Sequence, residues 1–317
     1  MKNYVIGVDL GGTKISTAIS TLDGKIVSQT VISTNAIEGE EPVLRRILQT
    51  IEEVLDLAQV TPEEVQAIGI GSPGPLDAKN GTIITTPNLP FRNYNVVAPI
   101  KEKFGIPVYL DNDANVAAIG EFMFGAGKGK QNIVYFTVST GVGGGAVLNG
   151  QAYRGNTSNA LEIGHMTVNA HGPRCNCGNI GCLEAIASGT AIGKKGREAV
   201  LTKVETSLRN YQEITSYEVF VEAKKGDEVA KEIVDNAMNY LGIGVANAIS
   251  IFDPEMVIIG GGVSKVGDIL FDTVRKVVNK RCFKSMAEAC EIVPAGLGVD
   301  AGVVGAVALA ILESKNK

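Results

Sequence analysis

The sequence predicts an α/β protein built from two similar lobes. Strand-like apolar runs alternate with runs of helical period along all 317 residues. A plan of strand, glycine turn, strand and hairpin occurs twice, more than a hundred residues apart. At about 150 residues per domain, a chain of this length suggests two domains.

The stretch "YVIGVDLGGTKISTAISTLDGKIVSQTVIS" reads as strand, glycine turn, strand, Asp23-Gly24 hairpin and strand. Within residues 42–59, Leu44, Ile47, Leu48, Ile51 and Leu55 share one helical face. "VQAIGIGSPGP" and "IPVYLDND" are strands that end in polar loops, and a helix over 114–124 begins just after Asn112-Asp113. "NIVYFTVSTGVGGGAVLNGQAYRG" then repeats the opening plan, with Asn149-Gly150 as its hairpin turn. Residues 227–252 form a long helix with an apolar stripe. "PEMVIIGGGVSKVGDILFDTVRKVV" is strand, glycine turn and helix, and 301–313 is a helix of small residues. These elements place a small lobe at residues 1–112 and a large lobe at 113–299. The helix of about 300–317 is expected to pack back on the first lobe.

Hydrophobic residues make up 45% of the chain, enough for substantial cores. A net charge of -5 and a pI of about 5.3 leave no basic field to attract phosphate backbones, so nucleic acid is not the expected partner. The opening "MKNYVIGVDLGG" has no apolar signal core, because Asp9 and the glycines interrupt it. "GVVGAVALAILE" is too short to cross a bilayer. A soluble, cytoplasmic protein with small-molecule ligands and no membrane partner is therefore expected. Five cysteines, an odd number, argue against a disulfide scaffold. The 38 glycines far exceed the roughly 7% of an average chain.

Several glycine turns follow strands. "DLGGTK", Asp9 to Lys14, offers backbone N–H groups at Gly11, Gly12 and Thr13 and a cation at Lys14. "STGVGGG", Ser139 to Gly145, offers the same without a cation. Such N–H groups suit phosphate oxygens, because no side chain blocks their approach. No G-x-x-x-x-G-K-[ST] occurs, so this is not a P-loop protein. A G-x-G-x-x-G does occur at Gly69, Gly71 and Gly74, but Pro73 and Pro75 flank its last glycine and "LDAKNG" reads as a turn. The helix N-terminus required by a dinucleotide site is missing. "SPGP" reads instead as a stiff wall beside a pocket.

The repeated lobes, "VDLGGTK", "STGVGGG" and "IIGGGVS" together resemble the actin-like ATPase (ribonuclease H-like) architecture of sugar kinases, Hsp70-type chaperones and actin. The resemblance implies a nucleotide and substrate in a cleft between lobes. It assigns Gly11, Gly12, Thr13 and Lys14 to a first phosphate loop and Thr140, Gly141 and Gly143 to a second. Gly260, Gly261 and Gly262 would lie beside adenosine.

"GHMTVNAHGPRCNCGNIGCLE" holds both histidines and three cysteines. His165, Cys175, Cys177 and Cys182 form a Cys₃His set suited to tetrahedral Zn²⁺, and the glycines of "GNIG" allow the sulfurs to converge. The spacing C-x-C-x₄-C is not that of a thioredoxin. Four protein ligands leave no open position, so the zinc would be structural. His171 is spare and expected at the surface, while Cys282 and Cys290 are expected to be buried apolar residues. Glu162 and Glu184 flank the ligands, and a pinned loop would make both fixed acceptors for a polyhydroxylated substrate.

"ALEIGHM" followed by "CNCGNIGCLE" resembles the ROK family of bacterial sugar kinases and sugar-responsive repressors, matching its C-x-C-G-x-x-G-C-x-E motif without departure. The resemblance covers nearly the whole chain. It implies that His165 touches both zinc and sugar and that Glu162 and Glu184 contact the sugar. Gly74 is assigned to the same pocket. Asn112 and Asp113 are ordinary helix-capping residues by themselves. The family's pattern makes Asp113 the general base and has Asn112 bind sugar hydroxyls.

ATP with Mg²⁺, the ion held by Asp9, would then phosphorylate the 6-hydroxyl of a hexose, glucose foremost, with fructose, mannose or N-acetylmannosamine as alternatives. The family also suggests a homodimer or homotetramer. A repressor would need an N-terminal helix-turn-helix, for which a first strand starting at Tyr4 leaves no room. An actin-like chaperone or filament protein would have no use for the zinc loop.

Overall fold

The computed structural model describes residues 2–86, 88–202 and 204–315. Its first sheet contains β1 (Tyr4–Leu10), β2 (Lys14–Thr21), β3 (Ile26–Ser33), β4 (Val65–Ser72) and β8 (Val108–Asn112) in the order β3-β2-β1-β4-β8. The three opening strands are antiparallel, and β4 and β8 continue the sheet in parallel with β1. A second sheet holds β9 (Ile133–Val138), β10 (Val142–Leu148), β11 (Gln151–Ala152), β12 (Met256–Gly260) and β13 (Glu291–Pro294) in the order β11-β10-β9-β12-β13. Hairpin strands on one side and parallel crossover strands on the other occur in both sheets, so the sequence repeat is also a repeat of topology.

A third, small antiparallel sheet joins β5 (Leu76–Asp77), β6 (Thr82–Thr85) and β7 (Arg92–Asn95). "LDAKNG", read as a turn, therefore begins as a strand. Leu76 pairs with Ile83 and both are buried, while only residues 78–81 turn.

The helices are α1 (Glu40–Ala58), α2 (Val97–Phe104), α3 (Asp113–Phe124), α4 (Glu184–Ala187), α5 (Gly189–Leu201), α6 (Ser216–Lys225), α7 (Glu228–Phe252), α8 (Asp268–Arg281), α9 (Lys284–Ala289) and α10 (Ala301–Lys315). Residues 316–317, expected in the last helix, lie outside the described residues, as does residue 1 of the expected small lobe.

Two compact units divide the chain differently from the expected boundary after residue 112. One comprises Met1–Gly129, Gly145–Ala160 and Gly296–Lys317, the other Lys130–Gly144 and Leu161–Ala295. The first unit runs past residue 112 because α3 is packed within it. Gly120 of α3 lies against Gly305 of α10, where a Cβ would come within 2.8 Å of the Gly305 Cα. The apolar face of α1 buries Leu44, Ile47, Ile51, Val54 and Leu55 against β2 and β3, each side chain contributing about 1.5–3 kcal/mol. Leu48 only borders that core.

On the other side of the sheet, α10 lies almost directly on β1 and β4. A Cβ at Gly69 would meet the Ala306 carbonyl oxygen at 2.2 Å, and one at Gly7 the Val307 nitrogen at 2.5 Å. Gly69, the first glycine of the misleading G-x-G-x-x-G, therefore serves helix–strand packing. Gly7 and Gly69 are thus packing glycines rather than phosphate turns. In the second unit α7 packs on α8, with Leu241, Val245 and Ile249 of α7 and Leu270, Val274 and Val278 of α8 buried.

Candidate active site and metal centre

In the first unit, the parallel order of β1, β4 and β8 brings Asp9, Gly71 and Asp111 onto one rung. Open α/β sheets place ligands beyond the carboxyl ends of such strands. Asn112 ends β8 and caps α3, its Oδ1 accepting the Ala114 N–H at 2.9 Å, and Asp113 Oδ1 accepts the same N–H at 2.8 Å. Cap and candidate catalyst are thus adjacent residues of one turn. Asp113 keeps access to solvent, yet surrounding protein strips enough water from its carboxyl to raise its pKa, against backbone bonds that lower it. A poorly hydrated but reachable carboxylate suits proton abstraction.

Half-buried Asp9 is also raised, by burial first and by the Asp113 charge second, while Lys14 lowers it. Its carboxylate occupies the space that a side chain at Gly302 of α10 would need. Two neighbouring carboxylates, one of them raised in part by the charge of the other, are a fit for a divalent cation. In the Gly11–Thr13 turn, Gly12 lies so close to Asn88 that a Cβ would meet its backbone oxygen at 2.7 Å. Gly74 borders the Asn112 side chain, 3.3 Å from Nδ2 to an added Cβ.

Behind this site lies a residue that sequence reasoning missed. Fully buried Asp111 accepts the Asn112 N–H at 2.8 Å and Asn115 Nδ2 at 2.9 Å through Oδ1, and Arg154 Nε at 2.5 Å through Oδ2. Arg154 also donates to Glu313 Oε1 at 2.8 Å. No sequence signal joins positions 43 and 159 residues apart.

In the second unit, a cavity of about 390 Å³ is lined by Ser139, Thr140, Gly189, Thr190, Arg197 and Gly262, among others. It brings the second glycine turn to the last of the three late glycines. Gly260 and Gly261 do not line it. A Cβ at Gly260 would strike the Tyr135 hydroxyl at 2.5 Å, and Gly261, at φ 87°, lies against the Val138 carbonyl. Their role is to let β12 and its turn pack on β9. The α5 residues Gly189, Thr190 and Arg197 carry no recognisable motif and were not foreseen. At the other side of the turn, Glu184 Oε2 accepts the Val142 N–H at 3.0 Å, and a Cβ on Gly141 would come within 2.5 Å of that oxygen.

The ligand atoms of His165, Cys175, Cys177 and Cys182 all lie within 4.8 Å of one another. Cys177 and Cys182 sulfurs are 3.7 Å apart, as are the Cys175 sulfur and His165 Nδ1. Tetrahedral Zn–S bonds of about 2.3 Å require sulfur separations of about 3.8 Å, so the four groups fit zinc. Nδ1 is the ring nitrogen turned to the sulfurs, and Nε2 faces Glu162 at 4.0 Å. Burial and neighbouring thiols push Cys182 up to about 12, whereas the Asn179 backbone lowers Cys177. A bound cation removes that conflict by taking all three as thiolates.

Gly181, at φ 71°, lets the loop close on Asn169, whose carbonyl oxygen would lie 1.6 Å from a Cβ. His171 is exposed, Cys290 buried and Cys282 half-buried, and no disulfide forms among the described residues. No described helix is long and apolar enough to cross a membrane.

A family model described as the ROK family matches residues 5–313. The chain belongs to the ROK family. A ROK relative, the glucokinase of Thermotoga maritima, is 41% identical over 97% of each chain. The xylose repressor of Caldicellulosiruptor bescii is 35% identical over 97% of this chain and 78% of its own. The crystal structure of a ROK family glucokinase from Streptomyces griseus in complex with glucose and AMPPNP superposes with a TM-score of 0.77 at 32% identity, covering 97% of this chain and 99% of that one. This ROK chain accordingly has the actin-like ATPase fold, with its α/β units each built on a five-stranded sheet.

Proposed function

We propose that the protein is an ATP-dependent hexose kinase of the glucokinase type, which transfers the γ-phosphoryl group to the 6-hydroxyl of glucose. One observation carries the reading above all. Glu184, two residues from the proposed zinc ligand Cys182, accepts the Val142 N–H in the turn that carries Thr140 and Gly141, so one hydrogen bond ties the proposed carbohydrate acceptor to the proposed phosphate cradle. Names and titles of the similar proteins supply the substrate: a glucokinase at 41% identity and a glucokinase solved with glucose and AMPPNP.

In this mechanism Asp113 accepts the proton of the 6-hydroxyl as its oxygen attacks the γ-phosphorus, and the bond to the bridging β–γ oxygen breaks to release ADP. Asn112, Glu162, Glu184 and His165 Nε2 orient the sugar hydroxyls, and Gly74 leaves room for the ring beside Asn112. The Gly11 N–H is taken by the Lys14 carbonyl at 3.0 Å and the Val142 N–H by Glu184. The N–H groups of Gly12, Thr13, Thr140, Gly141 and Gly143, together with Lys14, therefore carry charge on the phosphoryl oxygens. The cavity at Thr140 and Gly262 takes the nucleotide. Asp9 is the residue to hold Mg²⁺, which would neutralise phosphate charge. Zinc on His165, Cys175, Cys177 and Cys182 would supply rigidity and no Lewis acidity, because protein fills all four positions. A cytoplasmic setting suits the reduced thiols, and a homodimer or homotetramer belongs to the same reading.

The deciding experiment is an ADP-release assay with Mg-ATP across glucose, fructose, mannose and N-acetylhexosamines. Glucose-dependent release is expected, and release without any sugar would overturn the reading. The similar xylose repressors make sugar sensing the second reading. Xylose, which has no 6-hydroxyl, binding tightly while no hexose supports turnover would favour it.

A further inference from the structure

We propose that Arg154 and Asp111 form a positioning pair that holds Asn112 and Asp113 in reacting geometry, an inference that rests on Asp113 being the base. Asp111 is one residue before the Asn112-Asp113 pair and is fully buried. Its Oδ1 grips the Asn112 backbone N–H and the Asn115 amide at once. Asn112 is the cap and Asn115 the third residue of α3, so both belong to the turn on which Asp113 sits.

The opposite oxygen, Oδ2, is taken by Arg154 Nε. A carboxylate removed from water carries a heavy desolvation cost unless a cation and hydrogen bonds satisfy it. Arg154 is that cation. Its second arm is anchored on Glu313 near the end of α10, and its carbonyl accepts the Ala160 N–H at 3.1 Å, which fixes the segment it comes from. The fork geometry matters, since two carboxylates are bridged in defined directions. The influence on Asp113 is geometric: burial raises the Asp113 carboxyl and backbone bonds lower it.

Arg154 and Glu313 also line a cavity of about 380 Å³ with Lys79, Asn80, Ser158 and Leu309, among others. The Arg154 side chain is 27% exposed. Truncating it therefore opens a space that a small planar cation can enter from solvent.

The test compares Arg154→Ala, Arg154→Lys and Asp111→Asn with the native chain, counting folded molecules by circular dichroism. Arg154→Ala is expected to lower kcat by about tenfold or more and to raise the hexose KM, because small misplacements of reacting groups carry penalties of this size. The ATP KM should stay within about twofold. Millimolar guanidinium chloride should restore part of kcat in Arg154→Ala with a saturable dependence and do nothing to the native enzyme. Arg154→Lys should recover only part, having the charge without the fork.

Native kcat and hexose KM per folded molecule, with only a lower melting temperature, would overturn the proposal. Equal losses in every kinetic constant without guanidinium rescue would overturn it too. Should Arg154→Ala not fold, Asp111→Asn, nearly isosteric, is expected to give the same split. Asp113→Asn is measured alongside: turnover retained there refutes the base itself, whatever Arg154→Ala does.

Discussion

Asp9 and Asp113 are two carboxylates of one unit that both stand above the ordinary range, Asp9 raised by burial first and by the Asp113 charge second. In its proposed role as base, Asp113 works only when deprotonated. The hexose kcat/KM is therefore expected to climb with pH along an acid limb lying above the usual carboxylate pKa of about 4. The stability sign is opposite. A carboxyl raised on folding binds its proton more tightly in the folded state, so its stabilising contribution is lost as pH rises from the unfolded value through the folded one. Asp113→Asn should consequently melt higher than the native chain at neutral pH. A pH–rate profile flat down to pH 4 (about the usual carboxylate pKa), or a lower melting temperature for the variant, would count against this account.

Turnover should respond far more than binding at the same position. Asp113→Asn is expected to lose about 10²–10⁴-fold in kcat while glucose binding by calorimetry and zinc content persist. Substantial remaining kcat removes Asp113 from the role of base.

Glu184 has two tasks that substitutions can separate. Glu184→Gln can still accept from Val142 N–H through its amide oxygen, yet presents a donor where the sugar needs an acceptor. The glucose KM should rise roughly tenfold with the ATP KM little changed. Glu184→Ala also frees the Val142 N–H and should raise both, as initial-rate kinetics in each substrate would show.

Cys175→Ser is expected to lower bound zinc, measured by atomic absorption, and to raise the glucose KM, since His165 and Glu184 both depend on the closed loop. Full activity in a zinc-free variant would show that the metal does not shape the sugar site.

Gly69→Ala tests packing apart from chemistry. Its Cβ would meet the Ala306 oxygen at 2.2 Å and the Ala310 nitrogen at 2.9 Å, both backbone atoms of α10. A destabilisation of about 1–3 kcal/mol is expected from the urea midpoint, with unchanged kinetic constants in the folded fraction.

The Cys₃His cluster and both glycine turns were legible because each is compact in sequence. Cys175 to Cys182 close within one loop, and a glycine turn is a property of a few residues. The boundary after residue 112 was not legible. It depends on α3 packing against α10, and a stripe of small residues does not name its partner. The same limit hid Gly189, Thr190 and Arg197, whose place on the cavity follows from how α5 returns to the β9–β10 turn. Gly260 and Gly261, expected beside adenosine, illustrate the converse: they lie against the Tyr135 hydroxyl and the Val138 carbonyl, where a side chain would not fit.

Periodicity, turn chemistry and ligand spacing along the chain sufficed for the α/β class, the duplicated strand plan, the Cys₃His centre and the Asn112-Asp113 pair. Those are local properties, written in neighbouring residues. Folding alone decided that Asp111 would meet Arg154, that Glu184 would bond to Val142, and that α10 would cover β1 and β4. Such contacts join residues dozens to hundreds of positions apart, and their energies depend on distance in space, of which a linear order of residues holds no record.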